Sequence, residues 1–171
     1  MGEKLWSLLR LKADNKNSLK EKYREVYIKE YVEKKIYDWL GNQIIFHRYT
    51  FNHAFSKSSN YRYSYGNHDI DFCPNRARRI LWIKKVLEAT NGTIERLHEI
   101  KKDNRGRNIK RRVLFVIEEK YVVVTQETNK EKILEFVTAF IADNNWIKSE
   151  KSKKALIEVK KCSQIPQSCG D

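Results

Sequence analysis

Residues 111–127 read RRVLFVIEEKYVVVTQE and contain two apolar runs, 113–117 and 121–124, with a polar connection between them. Runs of this length that are rich in valine, phenylalanine and tyrosine are typical of β-strands. Glu119 and Lys120 stand between the runs, so the stretch predicts a hairpin. Because almost no polar residue interrupts either run, we expect both strands to be central in a sheet and covered on much of both faces.

Two neighbouring segments also show the two-residue period of β-strands: TIERLHEIKK (93–102) and KILEFVTAFI (132–141). Short polar connections join all four segments, which predicts an antiparallel meander. Because side chains alternate along a strand, Thr138 is expected on the same side of the last strand as Phe136 and Phe140.

Helical spacing dominates the part of the chain before these strands. Ser18 and Glu21 form a capping box, and apolar residues then recur at helical spacing up to Gly41. A second helix is predicted from Pro74 to the Asn-Gly pair that ends at Gly92.

The expected fold is therefore α+β, with N-terminal helices packed on a four-stranded antiparallel sheet and a C-terminal helix or tail. We expect an N-terminal helical extension over 1–42, a central domain over 43–143, and a basic C-terminal helix and tail over 144–171.

The composition favours an anionic partner. The formal net charge is +13 and the isoelectric point is near 9.6, a balance that attracts polyanions at long range and makes nucleic acid the first candidate. A lysine-rich, merely solvated surface is the alternative. Three cysteines without a CxxC spacing argue against a disulfide framework and a complete zinc site. The start of the sequence has too short an apolar stretch for a signal peptide or a membrane span, so a cytoplasmic protein is expected.

The segment HRYTFNHAFS (47–56) contains two of the four histidines of the chain. Cleavage of RNA without a metal needs a proton acceptor for the 2′-OH, a proton donor for the leaving oxygen, and cations around the transition state. His53 is the first candidate for proton transfer, since imidazole titrates near neutral pH. A hydrogen-bonded structural histidine is the alternative. His47, Tyr49 and His68, which stands beside a carboxylate, are candidates for a second group.

Cationic and hydroxyl side chains supply the other requirements. Arg76 and Arg79 share a face at the start of the second predicted helix, a geometry that suits an anion. The segment RLHEIKKDNRGRNIKRR (96–112) predicts a basic hairpin that contacts a phosphate backbone, although a solvated hairpin tip is the alternative. The candidate RNA-binding residues are Arg76, Lys101, Arg105, Arg107, Lys110 and Arg112. Tyrosines 61, 63 and 65 are candidates for stacking on bases.

The run from His53 through RARRILWIKKVLEATNGTI (76–94), RRVLFVIEEKYVVV (111–124) and LEFVTAF (134–140) resembles the barnase/EndoU/colicin/RelE-like nuclease superfamily, especially its phage- and toxin-associated branches. The resemblance covers roughly residues 44–143. It implies N-terminal helices followed by a four-stranded antiparallel sheet.

The resemblance also implies a metal-independent endoribonuclease without a cofactor, often a toxin, that cuts tRNA or mRNA and leaves a 2′,3′-cyclic phosphate. By that similarity His53 is the acid or base, Arg79 with Arg76 positions a phosphate, and Thr138 contacts the scissile phosphate. An acidic antitoxin or immunity protein is then an expected partner.

Two other functions stay open. The basic surface suits a non-catalytic nucleic-acid-binding module. Glu118 and Lys120 have the spacing of a PD-(D/E)xK metal-dependent nuclease, with Asp69 or Asp71 upstream. The predicted turn at Glu119 disfavours this second alternative, because that motif belongs inside a strand.

Overall fold

One seven-stranded sheet organises the protein, in the order β1-β2-β6-β5-β4-β3-β7. The computed structural model describes residues 4–57 and 71–162. The strands are β1 (Ile36–Tyr37), β2 (Gln43–Ile45), β3 (Gly92–Lys102), β4 (Asn108–Val116), β5 (Tyr121–Glu127), β6 (Ile133–Ile141) and β7 (Ala155–Cys162).

The central meander of β3 to β6 has the predicted strands and antiparallel pairing. The prediction of a four-stranded antiparallel sheet was nevertheless wrong. The sheet is mixed, because β2 pairs in parallel with β6, and it gains β1 at one edge and β7 at the other. It curls into half a barrel, with few helices around it.

The predicted C-terminal helix was also wrong over 155–162, where the chain forms β7. Short helical turns at Trp146–Glu150 and Lys151–Lys153 precede this strand. The lysine-rich sequence fits an edge strand as well as a helix, since charged side chains protect an exposed strand edge. Pairing with the backbone of β3, a tertiary effect, decides between the two.

The helices are α1 (Lys16–Tyr27), α2 (Thr50–Ala54), α3 (Pro74–Ala77) and α4 (Trp82–Leu87), and the two long helices predicted from the sequence are shorter than expected. A π-helical turn, Ile28–Val32, continues α1 and ends well before Gly41. The N-cap of α1 is Asn15 rather than Ser18, and the Asn15 side chain accepts the N–H of Ser18 at 2.8 Å. No helix in the described ranges combines the length and apolar character needed to cross a bilayer.

A buried tyrosine interrupts the second predicted helix. In an unbroken helix the N–H of Lys84 would donate to the carbonyl of Ile80. Instead the hydroxyl of Tyr31 donates to Ile80 O at 2.5 Å and accepts from Lys84 N at 3.1 Å. A side chain that enters the hydrogen-bond ladder in this way is a known cause of helix kinks. The segment is therefore split into α3 and α4.

The helices cover one face of the sheet, called here the helix face. The largest buried side chains lie between helices and sheet, and Tyr27 is central among them, since its ring lies 5.6 Å from that of Phe51 and 6.5 Å from that of Phe136. The Tyr27 hydroxyl donates to the carbonyl of His47 at 2.7 Å. This bond fixes the chain where it enters α2.

A second, smaller apolar cluster lies on the opposite face, called here the open face. Its buried members include Leu97, Val113 and Phe115. The segment 142–154 covers part of it, with Trp146 packed on the rings of Phe115 and Phe140. The rest of this face has no helix over it in the described part of the chain.

A β-bulge in β6 changes which residues reach the open face. Val124 of β5 lies opposite Thr138, but the next residue, Thr125, lies opposite Phe136. Val137 is the extra residue, and a bulge of this kind shifts the alternation of the strand. Phe136 therefore points into the helix-face core, whereas Thr138 lines the open face together with Phe140. The prediction that Thr138 shares a face with both phenylalanines was wrong for Phe136 and is confirmed for Phe140.

Candidate functional site

A cleft with a volume of about 420 Å³ lies on the open face. Its floor is made of β4, β5 and β6, which contribute Val113, Val124, Thr138 and Phe140. Thr138 is half-buried and is the one floor residue of these four with a hydroxyl. A phosphate placed above it would meet this donor at the base of the cleft.

One wall comes from α2 and α3, which pack against β6. Beyond Glu135, β6 has no strand on its outer side among the residues described, and these two helices occupy that edge. Phe51, Ala54 and Phe55 are buried and fix the orientation of α2. His53 stands between them in sequence and is exposed at the cleft.

Arg76 connects this wall to the floor. Residues 55–57 and 71–73 run antiparallel, with backbone hydrogen bonds from Lys57 N to Asp71 O and from Cys73 N to Phe55 O. This link brings the start of α3 beside the end of α2. Arg76 then donates to the carbonyl of Ala54 at 3.5 Å, while its guanidinium carbon lies 5.8 Å from the centre of the Phe140 ring.

The opposite wall is formed by Glu99 and Lys101 of β3 and Arg111 of β4. Glu99 and Arg111 are cross-strand partners, so both point to the open face. Arg111 Nε donates to Gln126 Oε1 at 3.4 Å. Lys101 Nζ lies 3.7 Å from Glu99 Oε1, with about half of the lysine side chain exposed.

The third wall belongs to the segment 142–154, through Asp143, Trp146, Glu150 and Lys154. Lys154 is nearly buried, with 6% of its side chain exposed, and its ammonium donates to Glu99 Oε1 and to the carbonyl of Glu150, both at 3.1 Å. It also lies 5.6 Å from the centre of the Trp146 ring. Because Glu99 is paired in this way, its charge opposes an incoming anion less.

The charge of the cleft is positive. Cations outnumber carboxylates among its lining residues, which are Lys57, Arg76, Lys101, Arg111 and Lys154 against Glu99, Asp143 and Glu150. A cleft lined by one sign of charge concentrates the opposite ion. A polyanion such as a nucleic-acid backbone therefore fits this surface.

A second cavity of about 240 Å³ adjoins the cleft, and His53 and Val137 line both. In it the ring of His47 stacks on that of Tyr49, with centroids 5.0 Å apart and an interplanar angle of 9°. His47 Nε2 lies 3.3 Å from Glu135 Oε1, without the geometry of a hydrogen bond. The two cavities form one groove with His53 between them.

The structure brings some predicted site residues together and not others. His53, Arg76, Lys101 and Thr138 line the cleft, and His47 lines the adjoining cavity. His68, Asp69 and the tyrosines at 61, 63 and 65 lie outside the described residues.

Arg79 lies away from both cavities. Its guanidinium donates to the backbone and side-chain oxygens of Asn75, each at 2.7 Å, and lies 5.1 Å from the centre of the Trp82 ring. Burial lowers the pKa of this guanidinium. These contacts hold the Arg79 side chain against the start of the helical segment.

The other predicted basic residues also lie outside the cleft. Arg112 is on the helix face, where it pairs with Glu127 at 3.4 Å, and Lys110 follows the same alternation. Arg105 and Arg107 lie in the β3–β4 turn, and their backbone N–H groups both donate to Asp103. These bonds, with the Arg107 guanidinium, hold the pKa of Asp103 below its usual range.

Arg111 is the most informative residue that the sequence prediction missed. Alternation along β4 puts it on the same face as Val113, so the signal was present in the pattern. Lys57 and Lys154 had no such signal, because the position of each depends on a long-range contact. Gln126 and Glu135 follow from strand register, which sequence alone did not supply.

Glu118, the glutamate of the metal-nuclease alternative, and its neighbour Glu119 both accept hydrogen bonds from backbone N–H groups. Glu118 Oε2 accepts the N–H of Thr93 at 2.9 Å, and Glu119 Oε1 accepts that of Leu5 at 2.8 Å. The predicted turn at Glu119-Lys120 is confirmed. Within residues 4–57 and 71–162, no three His, Cys, Asp or Glu side chains are grouped as metal ligands would be.

Comparisons with protein-family models, with curated proteins and with solved structures give no match for this chain. The class that the fold and the site define is an α+β protein with a cationic, histidine-containing groove on one face of a mixed sheet.

Proposed function

We propose that this chain is a metal-independent endoribonuclease, toxin-like, that cleaves tRNA or mRNA by attack of a ribose 2′-OH on the adjacent phosphate. One observation carries the proposal: an imidazole from α2, a hydroxyl from β6 and guanidinium and ammonium groups from three walls line the same cleft. The resemblance to the barnase/EndoU/colicin/RelE-like superfamily points in the same direction, and we propose residues 43–143 as the nuclease domain.

The chemistry assigns one role to each group. His53 accepts the 2′-OH proton as the O2′–P bond forms, and the P–O5′ bond breaks to leave a 2′,3′-cyclic phosphate. The O5′ oxygen takes a proton from water at the open rim. The Thr138 hydroxyl and the Arg76 guanidinium donate to the non-bridging oxygens, where negative charge develops in the transition state. Lys101 and Arg111 hold the flanking phosphates.

A non-catalytic nucleic-acid-binding module is the second candidate, because the cationic cleft alone supports binding. We also propose a cytoplasmic location and an acidic protein partner, such as an antitoxin or immunity protein, whose carboxylates would cover the cationic walls.

The test is incubation of the purified chain with total tRNA and mRNA in EDTA, with analysis of the new RNA ends. We expect cleavage that leaves 2′,3′-cyclic phosphates and that falls about 100- to 10,000-fold in His53→Ala. His98→Ala is the matched control, since His98 is a half-buried histidine that pairs with Arg112 on the other face of the sheet. Binding without cleavage in the wild type would favour the binding module, and cleavage only with added magnesium would overturn the mechanism.

A further inference from the structure

The cavity next to the cleft has an aromatic surface that the cleavage chemistry does not use. Tyr49 is 74% exposed, the most exposed of the large apolar and aromatic side chains in the described ranges. Its ring is nevertheless held in place, because it stacks on His47 in nearly parallel planes. An exposed but ordered aromatic face is suited to stacking on a planar ligand.

Hydrogen bonds hold the backbone beneath this face in place. The carbonyl of His47 accepts the hydroxyl of buried Tyr27, and the N–H of Thr50 donates to the same carbonyl at 3.1 Å. Tyr49 is the residue from which α2 begins. Its ring is thus held next to the helix that positions His53.

Polar groups line the floor of the same cavity. Strand register places Glu99, Arg111, Gln126 and Glu135 in one row across the open face. Arg111 belongs to the cleft and Gln126 and Glu135 to the smaller cavity, and Arg111 donates to Gln126. An amide and a carboxylate beside an aromatic face offer hydrogen-bond partners for the edge of a base that is stacked there.

We infer that the cavity lined by His47, Tyr49, Gln126 and Glu135 is a nucleobase subsite for the nucleotide next to the scissile phosphate of single-stranded RNA. The inference rests on the proposed function and adds the substrate class: an unpaired base, since a base within a duplex cannot turn its face to Tyr49. His53 lines both cavities, so a base on Tyr49 would place its phosphate in the cationic cleft.

The test measures binding separately from cleavage. The probe is a fluorescein-labelled 2′-O-methyl RNA of about ten nucleotides, in which the blocked 2′-oxygen cannot attack, and its Kd is read by fluorescence anisotropy. Base stacking on an aromatic ring contributes enough that Tyr49→Ala should weaken binding about 5- to 100-fold. Tyr49→Phe keeps the ring and should stay within about twofold of the wild type. Tyr37→Ala, at a tyrosine of β1 that is 48% exposed, should not change binding.

A set of probes with one abasic position each identifies the contact. In the wild type, one abasic position should weaken binding as much as Tyr49→Ala does, and in Tyr49→Ala the same position should cost nothing more. Additive losses, or a Tyr49→Ala Kd equal to that of the wild type, would overturn the subsite. Normal RNA cleavage by the Tyr49→Ala variant would overturn the subsite alone. A wild-type protein that neither binds nor cleaves RNA would overturn the proposed function.

Discussion

Arg111 and Arg112 are neighbours in β4, yet their side chains lie on opposite faces of the sheet. Arg111 lines the cleft and donates to Gln126, while Arg112 pairs with Glu127 on the helix face. Successive residues of a regular strand alternate in this way. Substitutions at the two positions therefore distinguish the effect of a charge in the cleft from the effect of the net charge of the protein.

Removing the charge at 111 should weaken RNA binding, and removing it at 112 should not. For Arg111→Gln we expect a higher Kd and a salt dependence, plotted as log Kd against log salt, whose slope is smaller by about 1, because one phosphate contact is lost. Arg112→Gln is the matched control with the same change in net charge. Anisotropy titrations over a range of salt concentrations make the comparison. Equal effects from the two variants would mean that RNA senses only the overall charge.

The hydroxyl of Thr138 should matter for cleavage and not for folding. Thr138→Val keeps the shape of the side chain and removes the donor, so the cleavage rate constant should fall about 100- to 1,000-fold. The melting temperature should stay close to that of the wild type, since the side chain is only half-buried. Single-turnover assays and calorimetry give the two values.

The control for Thr138→Val is the same substitution at a hydroxyl on the helix face. Thr125 is 2% exposed and its hydroxyl donates to the carbonyl of Arg112 at 3.5 Å. Thr125→Val should retain cleavage and lower the free energy of unfolding by about 1 kcal/mol. If Thr138→Val cleaves RNA at the wild-type rate, Thr138 has no part in the chemistry.

The hydroxyl of Tyr31 should contribute to stability, because it bridges Ile80 and Lys84 inside the helical segment. Tyr31→Phe leaves a buried carbonyl and a partly buried N–H without this partner, so the free energy of unfolding should fall by about 1–3 kcal/mol. Burial raises the pKa of Tyr31 well above its usual range, which keeps the hydroxyl protonated as a donor. Urea denaturation measures the change, and exposed Tyr37→Phe, which should shift stability by less than about 0.5 kcal/mol, is the control.

Local pattern predicts β3 to β6 well and the strands at the two edges of the sheet poorly. The segments β3 to β6 follow from alternation and short turns, which are properties of nearby residues. The pairing of β2 with β6 and of β7 with β3 joins segments far apart in the chain, and no local period encodes it. The same limit explains the split of the second helix, since Tyr31 comes from another element.

The candidate site shows the same division. His53 was predicted from the chemistry of imidazole, the phosphate contact of Thr138 was predicted from a resemblance, and both residues line one cleft. Arg112 was predicted to bind RNA, but Arg111 is the residue that lines the cleft. The prediction counted charges without assigning residues to the two faces of the strand. The bulge at Val137 had no signal in the sequence, although it decides that Thr138 faces the cleft.

Acidification should destabilise the protein partly through His98. Burial lowers the pKa of this imidazole, and the positive charges of Arg96 and Arg112 lower it further, with Arg96 Nη1 3.1 Å from His98 Nε2. The unfolded chain then binds a proton more readily than the folded one, so stability from neutral His98 is present above about pH 6.5 and is lost as the pH falls through that value. We expect the free energy of unfolding of the wild type to fall more than that of His98→Gln when the pH is lowered from about 7.5 to about 5.5, as measured by urea denaturation. If the difference in free energy of unfolding between the two proteins does not change with pH, His98 has the same pKa in the folded and unfolded states.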